Sequence, residues 1–275
     1  LLPRGLDHAQ ILVSLEEHEV SRQASLIERL AVLHGDLAVV TPGYVPQARR
    51  TLARQLFDRE IAAVRVSHDL ARPSFQLLKR AFDITGAIAL LVLFTPLMAG
   101  IALMIALRGG PVMFAHARVG RDGELFPCMK FRTMVPDAEN VLQDLLARSP
   151  EARAEWEKDF KLRKDPRITA LGRFLRKSSL DELPQLFNIL RGDMCLVGPR
   201  PVVRDEIERY GTARHYYFKV RPGLTGLWQV SGRNDLTYAE RVALDTDYVS
   251  RWSFWRDIVI LFRTAGVVTS RLGAY

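Results

Sequence analysis

A mixed α/β fold in two unequal parts is what the sequence predicts: a first part of alternating strands and helices, then a longer α+β part fixed to a membrane by an apolar helix. Three observations carry this. The first 75 residues alternate strand-like and helix-like runs, a stretch of 24 uncharged residues (Ile84–Leu107) follows, and the remainder opens on a hairpin signal. With 48% hydrophobic and 25% charged residues over 275, the composition excludes disordered, collagen-like and low-complexity classes and suits one large or two modest domains. Residues 1–75 hold nine Arg against nine acids, so the whole net charge of +8 belongs to residues 76–275. Cys128 and Cys195 stand far apart without CxxC spacing or a His cluster, which argues against a disulfide framework or structural zinc and for reduced thiols in a cytosolic setting. The chain opens on Leu1 without a signal segment and is expected to be a piece of a longer protein.

In the first part, Ile11–Leu15 reads as a strand. Glu19–Leu33 has helical spacing of Ala24, Leu26, Ile27, Leu30 and Leu33, and Asp36–Pro42 reads as a second strand ended by Pro-Gly, a βαβ pattern. A helix over Gln47–Phe57 and a short strand over Ala62–Ser67 continue it, and Asp69–Ser74 reads as the connector. Neither GxGxxG nor GxxxxGK[ST] occurs there.

Ile84–Leu107 would form a helix of about 36 Å, long enough to cross a bilayer. Pro96 at its middle removes a backbone donor and predicts a bend, with the Thr95 hydroxyl available to the freed carbonyls. Both flanks are basic, with Lys79 and Arg80 before and Arg108, Arg118 and Arg121 after, which suits a re-entrant hairpin in one leaflet. The residues alone leave a kinked span open. A buried core helix is the third alternative, although one so long and apolar on every side is unusual in a small domain.

Gly109-Gly110-Pro111 breaks this helix, and the strand-like runs Val112–Val119 and Leu125–Met134 flank Arg121-Asp122-Gly123, a hairpin signal. A helix is expected over Pro136–Phe160, followed by a basic block, Lys161–Lys177, with seven Lys/Arg and one acid. Such a block is either a solvated face or a surface for phosphates and anionic headgroups.

The chemistry concentrates in SSLDELPQLFNILRGDM (Ser178–Met194), where Asp181 and Glu182 precede an apolar helix that Pro184 limits at its start and Gly192 ends. A helix N-terminus favours negative charge and keeps a carboxylate ionised. The bland reading is a capping box of Ser179 and Glu182. Against it stand Lys130 and Arg132, alternating along a probable strand, then Arg173, Arg176 and Lys177, and Arg200 held between Pro199 and Pro201. A carboxylate nucleophile, a second acid and several cations are the inventory of phosphoryl transfer. Arg221, Gln229, Arg233 and Asn234, in the turn-rich VRPGLTGLWQVSGRNDL, are candidates for nucleotide or sugar recognition, or part of a structured loop with Trp228 in the core. Asp245 and Asp247 read as exposed helix acids. Tyr248–Val268 reads as an interfacial aromatic-and-basic helix or a C-terminal core helix.

KRAFD before the apolar segment, KFRTM, SLDELPQLFNILRGDM, VGPRP, VRPGLTGLWQVSGR and LDTDYV together resemble the bacterial polyprenyl-phosphate sugar phosphotransferases, the monotopic phosphoglycosyl transferases. The resemblance runs from about Gln76 to the C-terminus. It implies transfer of a sugar 1-phosphate from a UDP-sugar to undecaprenyl phosphate with release of UMP, dependent on Mg²⁺, as a first membrane step of exopolysaccharide or surface-glycan synthesis. Asp181 is implied as nucleophile, forming a covalent phosphosugar intermediate, with Glu182 in metal or acid/base support and both as metal ligands. Lys130, Arg132, Arg176 and Arg200 are implied as phosphate-binding positions, and Thr95-Pro96 as the break of a re-entrant membrane helix. LDTDYV is implied to lie near the active site. Glucose is favoured over galactose, although no residue decides it. The implied domains are a partial Rossmann-like accessory domain (1–75), the re-entrant helix (76–110) and the catalytic domain (111–275). The implied place is the cytoplasmic face of the inner membrane, in contact with membrane lipid and not nucleic acid, and homodimerisation or regulation is the expected role of the accessory part. The rival class is a non-enzymatic, membrane-anchored basic module that binds anionic lipid or nucleic acid.

Overall fold

The computed structural model describes residues 11–14, 23, 36–42, 61–67, 73–159, 162, 165–232 and 235–270. In the first part, β1 (Ile11–Ser14) pairs in parallel with β2 (Asp36–Pro42), and β3 (Ile61–Ser67) pairs antiparallel with β2. The parallel pair agrees with a βαβ unit, since parallel neighbours need a crossover connection. The helices expected over Glu19–Leu33 and Gln47–Phe57 lie outside the described residues.

Helix α1 (Pro73–Ala106) takes in the end of the expected connector and runs 34 residues, about 51 Å, with Pro96 inside it. Among the described residues it is the one helix long and apolar enough to cross a membrane. Thr95 Oγ1 donates to Leu91 O at 2.6 Å, a back-bond of the kind that bends helices, while the carbonyl that Pro96 deprives of its donor is that of Val92. Both halves of α1 rest on the same folded unit. Before Pro96, Ala87 packs in the main core with Leu186, Ile189 and Leu196; after it, Met98, Ile101 and Ile105 pack in a second cluster with Phe131 and Leu175.

The basic residues before the apolar stretch are not free headgroup ligands, which corrects their reading as a simple charged flank. Lys79 is buried; its Nζ donates to Asp257 Oδ2 at 2.7 Å and Val197 O at 3.1 Å. Arg80 donates to the carbonyls of Ile189 and Leu190. A buried ion pair between segments so far apart in sequence is invisible to a local reading.

After the turn at Gly109-Gly110, β4 (Met113–Val119) and β5 (Leu125–Phe131) form the expected antiparallel hairpin, with Asp122 and Gly123 at positive φ in its turn. The single helix expected over Pro136–Phe160 is two, α2 (Ala138–Arg148) and α3 (Pro150–Asp159), because Pro150 disfavours helical backbone at Ser149 and starts the next helix itself. Then come α4 (Ala170–Ser178), a 3₁₀ turn (Leu180–Glu182), α5 (Gln185–Arg191), β6 (Cys195–Val197), α6 (Arg204–Ile207), α7 (Arg214–Phe218) and β7 (Gly223–Thr225), parallel to β6. The chain closes with α8 (Tyr238–Ser250) and α9 (Phe254–Ser270), splitting the segment expected as one helix over Tyr248–Val268. Asp257, fully buried, ties α9 to the core: it accepts from Lys79, from Tyr248 Oη at 2.8 Å and from Trp252 Nε1 at 3.2 Å. The opposite side of α9 leaves Trp255 and Phe262 exposed, so the helix is both a core element and an apolar surface.

Candidate active site

The site is built where α4 ends and α5 begins. Ser179 closes α4 in the left-handed conformation, at φ 57°, and makes no side-chain cap, so the expected Ser179–Glu182 capping box does not form. Its N–H returns to the carbonyls of α4, and the chain turns at once into the 3₁₀ turn that carries Asp181 and Glu182. Gly172 lets α4 approach β5: a Cβ there would land on the backbone carbonyl of Thr133. Asn188, fully buried in α5, fixes the other side, donating to Pro127 O at 2.8 Å and accepting from Met129 N at 2.9 Å. The hairpin is thereby locked against α5, and Lys130, the next residue, reaches the dyad.

Lys130 Nζ lies 2.5 Å from Glu182 Oε1 and 3.7 Å from Asp181 Oδ2, one cation serving both acids. The two carboxyls respond in opposite directions. Burial pushes Asp181 up to about 6, against the pull of Lys130 and Arg176 and with the push of Glu182. For Glu182 burial also favours the neutral form, but Lys130, Arg200 and Arg118 outweigh it and hold the carboxyl below its ordinary range. The helix N-terminus is expected to keep a carboxylate ionised; at Asp181 desolvation outweighs the backbone and raises the carboxyl without neutralising it at pH 7. At pH 7 Asp181 is still largely ionised, and it is the more basic of the two.

Beside the dyad opens a cleft of about 270 Å³ lined by Arg118, Cys128, Lys130, Glu182, Gln185, Arg200, Pro201, Leu224 and Gln229. Of the residues singled out in the sequence, it gathers Lys130, Glu182, Arg200 and Gln229, with Asp181 beside Lys130. Arg200 stacks over Trp228 at 5.8 Å, and Trp228 is buried. Arg176 is held by Thr133 Oγ1 at 2.9 Å and acts on Asp181 through its charge. Arg132 lies elsewhere: its guanidinium donates to Gly109 O in the turn after α1. Arg221 also lies elsewhere, donating through Nε to Gly192 O at 2.6 Å at the far end of α5. Arg233 lies outside the described residues, as does Asn234. Asp245 is buried, not exposed; it accepts from Tyr210 Oη at 2.8 Å, and burial pushes it up to about 8 against the pull of Tyr210 and Arg200. Asp247 pairs with Arg256 and Arg251. Sequence reasoning missed Gln185 and gave Arg118 only a membrane-flank role. Arg118 precedes the hairpin turn at Arg121–Gly123 while Lys130 follows it, so hairpin register was the available signal.

Residues 74–271 match the family model described as bacterial sugar transferase. The chain belongs to that family. Among curated proteins, the chain is 57% identical over 220 residues to the undecaprenyl-phosphate galactose phosphotransferase of Salmonella typhimurium, covering 80% of this chain and 46% of that protein. It is 47% identical over 268 residues to the UDP-galactose-lipid carrier transferase of Erwinia amylovora, covering 97% of this chain and 56% of that one. With the exopolysaccharide production protein ExoY of Rhizobium meliloti the figures are 50% over 205 residues, 74% of this chain and 91% of that protein. The chain therefore spans about half the length of the first two relatives. The family match takes in the dyad, the residues lining the cleft and nearly all of α1.

Proposed function

We propose that the chain moves a hexose 1-phosphate from a UDP-sugar to undecaprenyl phosphate, releasing UMP, through a phosphosugar held on Asp181. The observation that supports this most is the bridged dyad: a buried, relatively basic Asp181 beside an ionised Glu182, both served by Lys130, at an arginine-lined cleft. One Asp181 oxygen bonds to the β-phosphorus as the bond from that phosphorus to the bridging oxygen breaks, and UMP leaves with that oxygen. An oxygen of the acceptor phosphate then bonds to the same phosphorus, and the bond to Asp181 breaks. Lys130, Arg200 and Arg118 neutralise the non-bridging oxygens, and Arg176 holds Asp181 in its charged form.

Mg²⁺ fits this donor set. Among the described residues no group of three metal-binding side chains occurs, but Mg²⁺ is commonly held by one or two carboxylates together with water and substrate phosphate. Asp181 and Glu182 would hold it, and when bound it would offset diphosphate charge. Galactose is the sugar we favour, because the Salmonella and Erwinia relatives named above both carry that sugar in their names. The glucose preference read from the sequence rested on no named residue.

We further propose that α1 re-enters the leaflet it came from, on the cytoplasmic face. Its two halves both pack on the catalytic unit, and Trp255 and Phe262 on α9 offer an apolar face for the same surface. Cysteine tags placed before Lys79 and after Arg108 should then be labelled from the same side; labelling from opposite sides would establish a span. The reaction is tested by UMP release from a panel of UDP-sugars, with and without undecaprenyl phosphate and Mg²⁺. Lipid- and metal-dependent release from UDP-galactose is expected, and release from another sugar alone would reassign the donor. Binding of anionic lipid with no release from any sugar would favour a non-enzymatic module.

A further inference from the structure

We propose that a second cleft, at the opposite end of α5 from the dyad, binds the phosphate of an anionic membrane phospholipid through Arg80, Arg121, Lys219 and Arg221. This open cleft shares no lining residue with the dyad cleft. The dyad precedes the start of the seven-residue α5, whereas Arg80 and Arg221 reach the carbonyls of Ile189, Leu190 and Gly192 at its end, about 10 Å away along the helix.

Five cations line it, Lys79, Arg80, Arg121, Lys219 and Arg221, against one acid, Asp83. That acid is already engaged: Asp83 Oδ1 accepts from Leu196 N at 3.0 Å and lies 3.6 Å from Lys79, which also pairs with Asp257. Among the described residues, that already engaged acid is the only one lining the cleft with the arginines. Arg221 bonds through Nε alone, leaving its terminal nitrogens without a hydrogen bond among the described residues. Arg121 has its Nε buried and without a hydrogen bond, its ion-pair partner being the exposed Asp122 at 3.4 Å. Guanidinium N–H groups with donor capacity to spare can each take a phosphate oxygen, and one phosphate suits several at once. Burial lowers the affinity of Arg221 for its proton, and the neighbouring Arg80 and Arg121 charges lower it further against the pull of Asp83. An anion in the cleft would offset those charges.

The location selects the source of the phosphate. Gln76, Lys79 and Arg80 belong to the first turns of α1, and Arg80 stands one helical turn before Ile84, where the uncharged stretch begins. Leu77 and Leu78, between these polar residues, are 72% and 46% exposed. Headgroup phosphate in the cleft with acyl chains over the leucines satisfies both kinds of group. This step rests on the membrane seating of α1 proposed above, and not on the chemistry at Asp181.

The test measures binding to the detergent-purified chain by calorimetry, with three probes: dihexanoyl phosphatidylglycerol, dihexanoyl phosphatidylcholine and inorganic phosphate. Phosphatidylglycerol is expected to bind at least about tenfold more tightly than either of the others. Arg121→Glu, at a half-exposed position in the hairpin turn, and, separately, Lys219→Glu, at an exposed one, should each weaken it by about tenfold without lowering the melting temperature. Asp181→Asn should bind it as the unaltered chain does, which separates this site from the transfer reaction. Unchanged affinity in both charge reversals would overturn the site. Inorganic phosphate or phosphatidylcholine binding as tightly as phosphatidylglycerol would overturn the anionic-lipid assignment.

Discussion

Asp181→Asn is expected to abolish sugar-phosphate transfer, by about 10⁴-fold or more, while the protein stays folded and membrane-bound. The amide keeps the shape of the side chain but cannot donate an oxygen to phosphorus and leave again. Folding should not suffer, because burial already makes the ionised carboxylate costly: the group is pushed up to about 6. Its partner Lys130 keeps Glu182 at 2.5 Å. The decisive readout is covalent. Incubated with a UDP-sugar labelled in the hexose, the unaltered chain should retain label after denaturation and lose it to hydroxylamine, as an acyl phosphate does. Asp181→Asn should retain none. Turnover near the normal rate in the variant would sink the nucleophile assignment, and label retained at another residue would move it. Glu182 cannot replace Asp181, being held below the ordinary carboxylate range by Lys130, Arg200 and Arg118 against its burial; a weakly basic oxygen makes a poorer nucleophile.

How far this site was legible in the sequence depended on whether the determining contact was local. The hairpin was legible because two strand-like runs flank Arg121-Asp122-Gly123, and Asp122 and Gly123 do adopt the positive φ that such a turn needs. The long apolar helix was legible from its uncharged run. The dyad was legible as a pair of acids before a helix, but its electrostatics were not. The Ser179–Glu182 spacing suggested a capping box, yet Ser179 takes the left-handed conformation that ends α4 and so cannot also open a helix with its side chain. Lys79 read as a membrane flank because its partner Asp257 is 178 residues away. Arg200, held between two prolines, and Arg221, in a turn-rich motif, both read as substrate-binding candidates, and only the fold places them in different clefts. The break at Pro150 was a local signal, since proline restricts the residue before it, and the polar character of the surrounding run concealed it.

Lys130→Met should cost at least about tenfold in turnover at pH 7 and move the acid limb of the pH profile upward. Lys130 lies within 4 Å of both carboxylates and is the largest pull toward ionisation on each. In the unaltered chain, turnover should fall as pH drops through about 6, because the nucleophile is lost when Asp181 takes up a proton. Without Lys130, burial and the Glu182 charge remain, so the carboxyl gains its proton at a higher pH, by about 1 unit or more for loss of an opposite charge at this range. The neutral side chain also contributes nothing to the phosphate oxygens. These two losses separate experimentally: raising the pH to about 9 restores the part due to ionisation and leaves the part due to phosphate contact. An acid limb unmoved in Lys130→Met would show that the lysine serves phosphate alone, and Asp181 would then owe its ionisation to Arg176, the next cation acting on it. Arg176→Gln, which leaves the bridge between Lys130 and the dyad in place, should shift the limb less than Lys130→Met; the reverse order would overturn the central place given to Lys130.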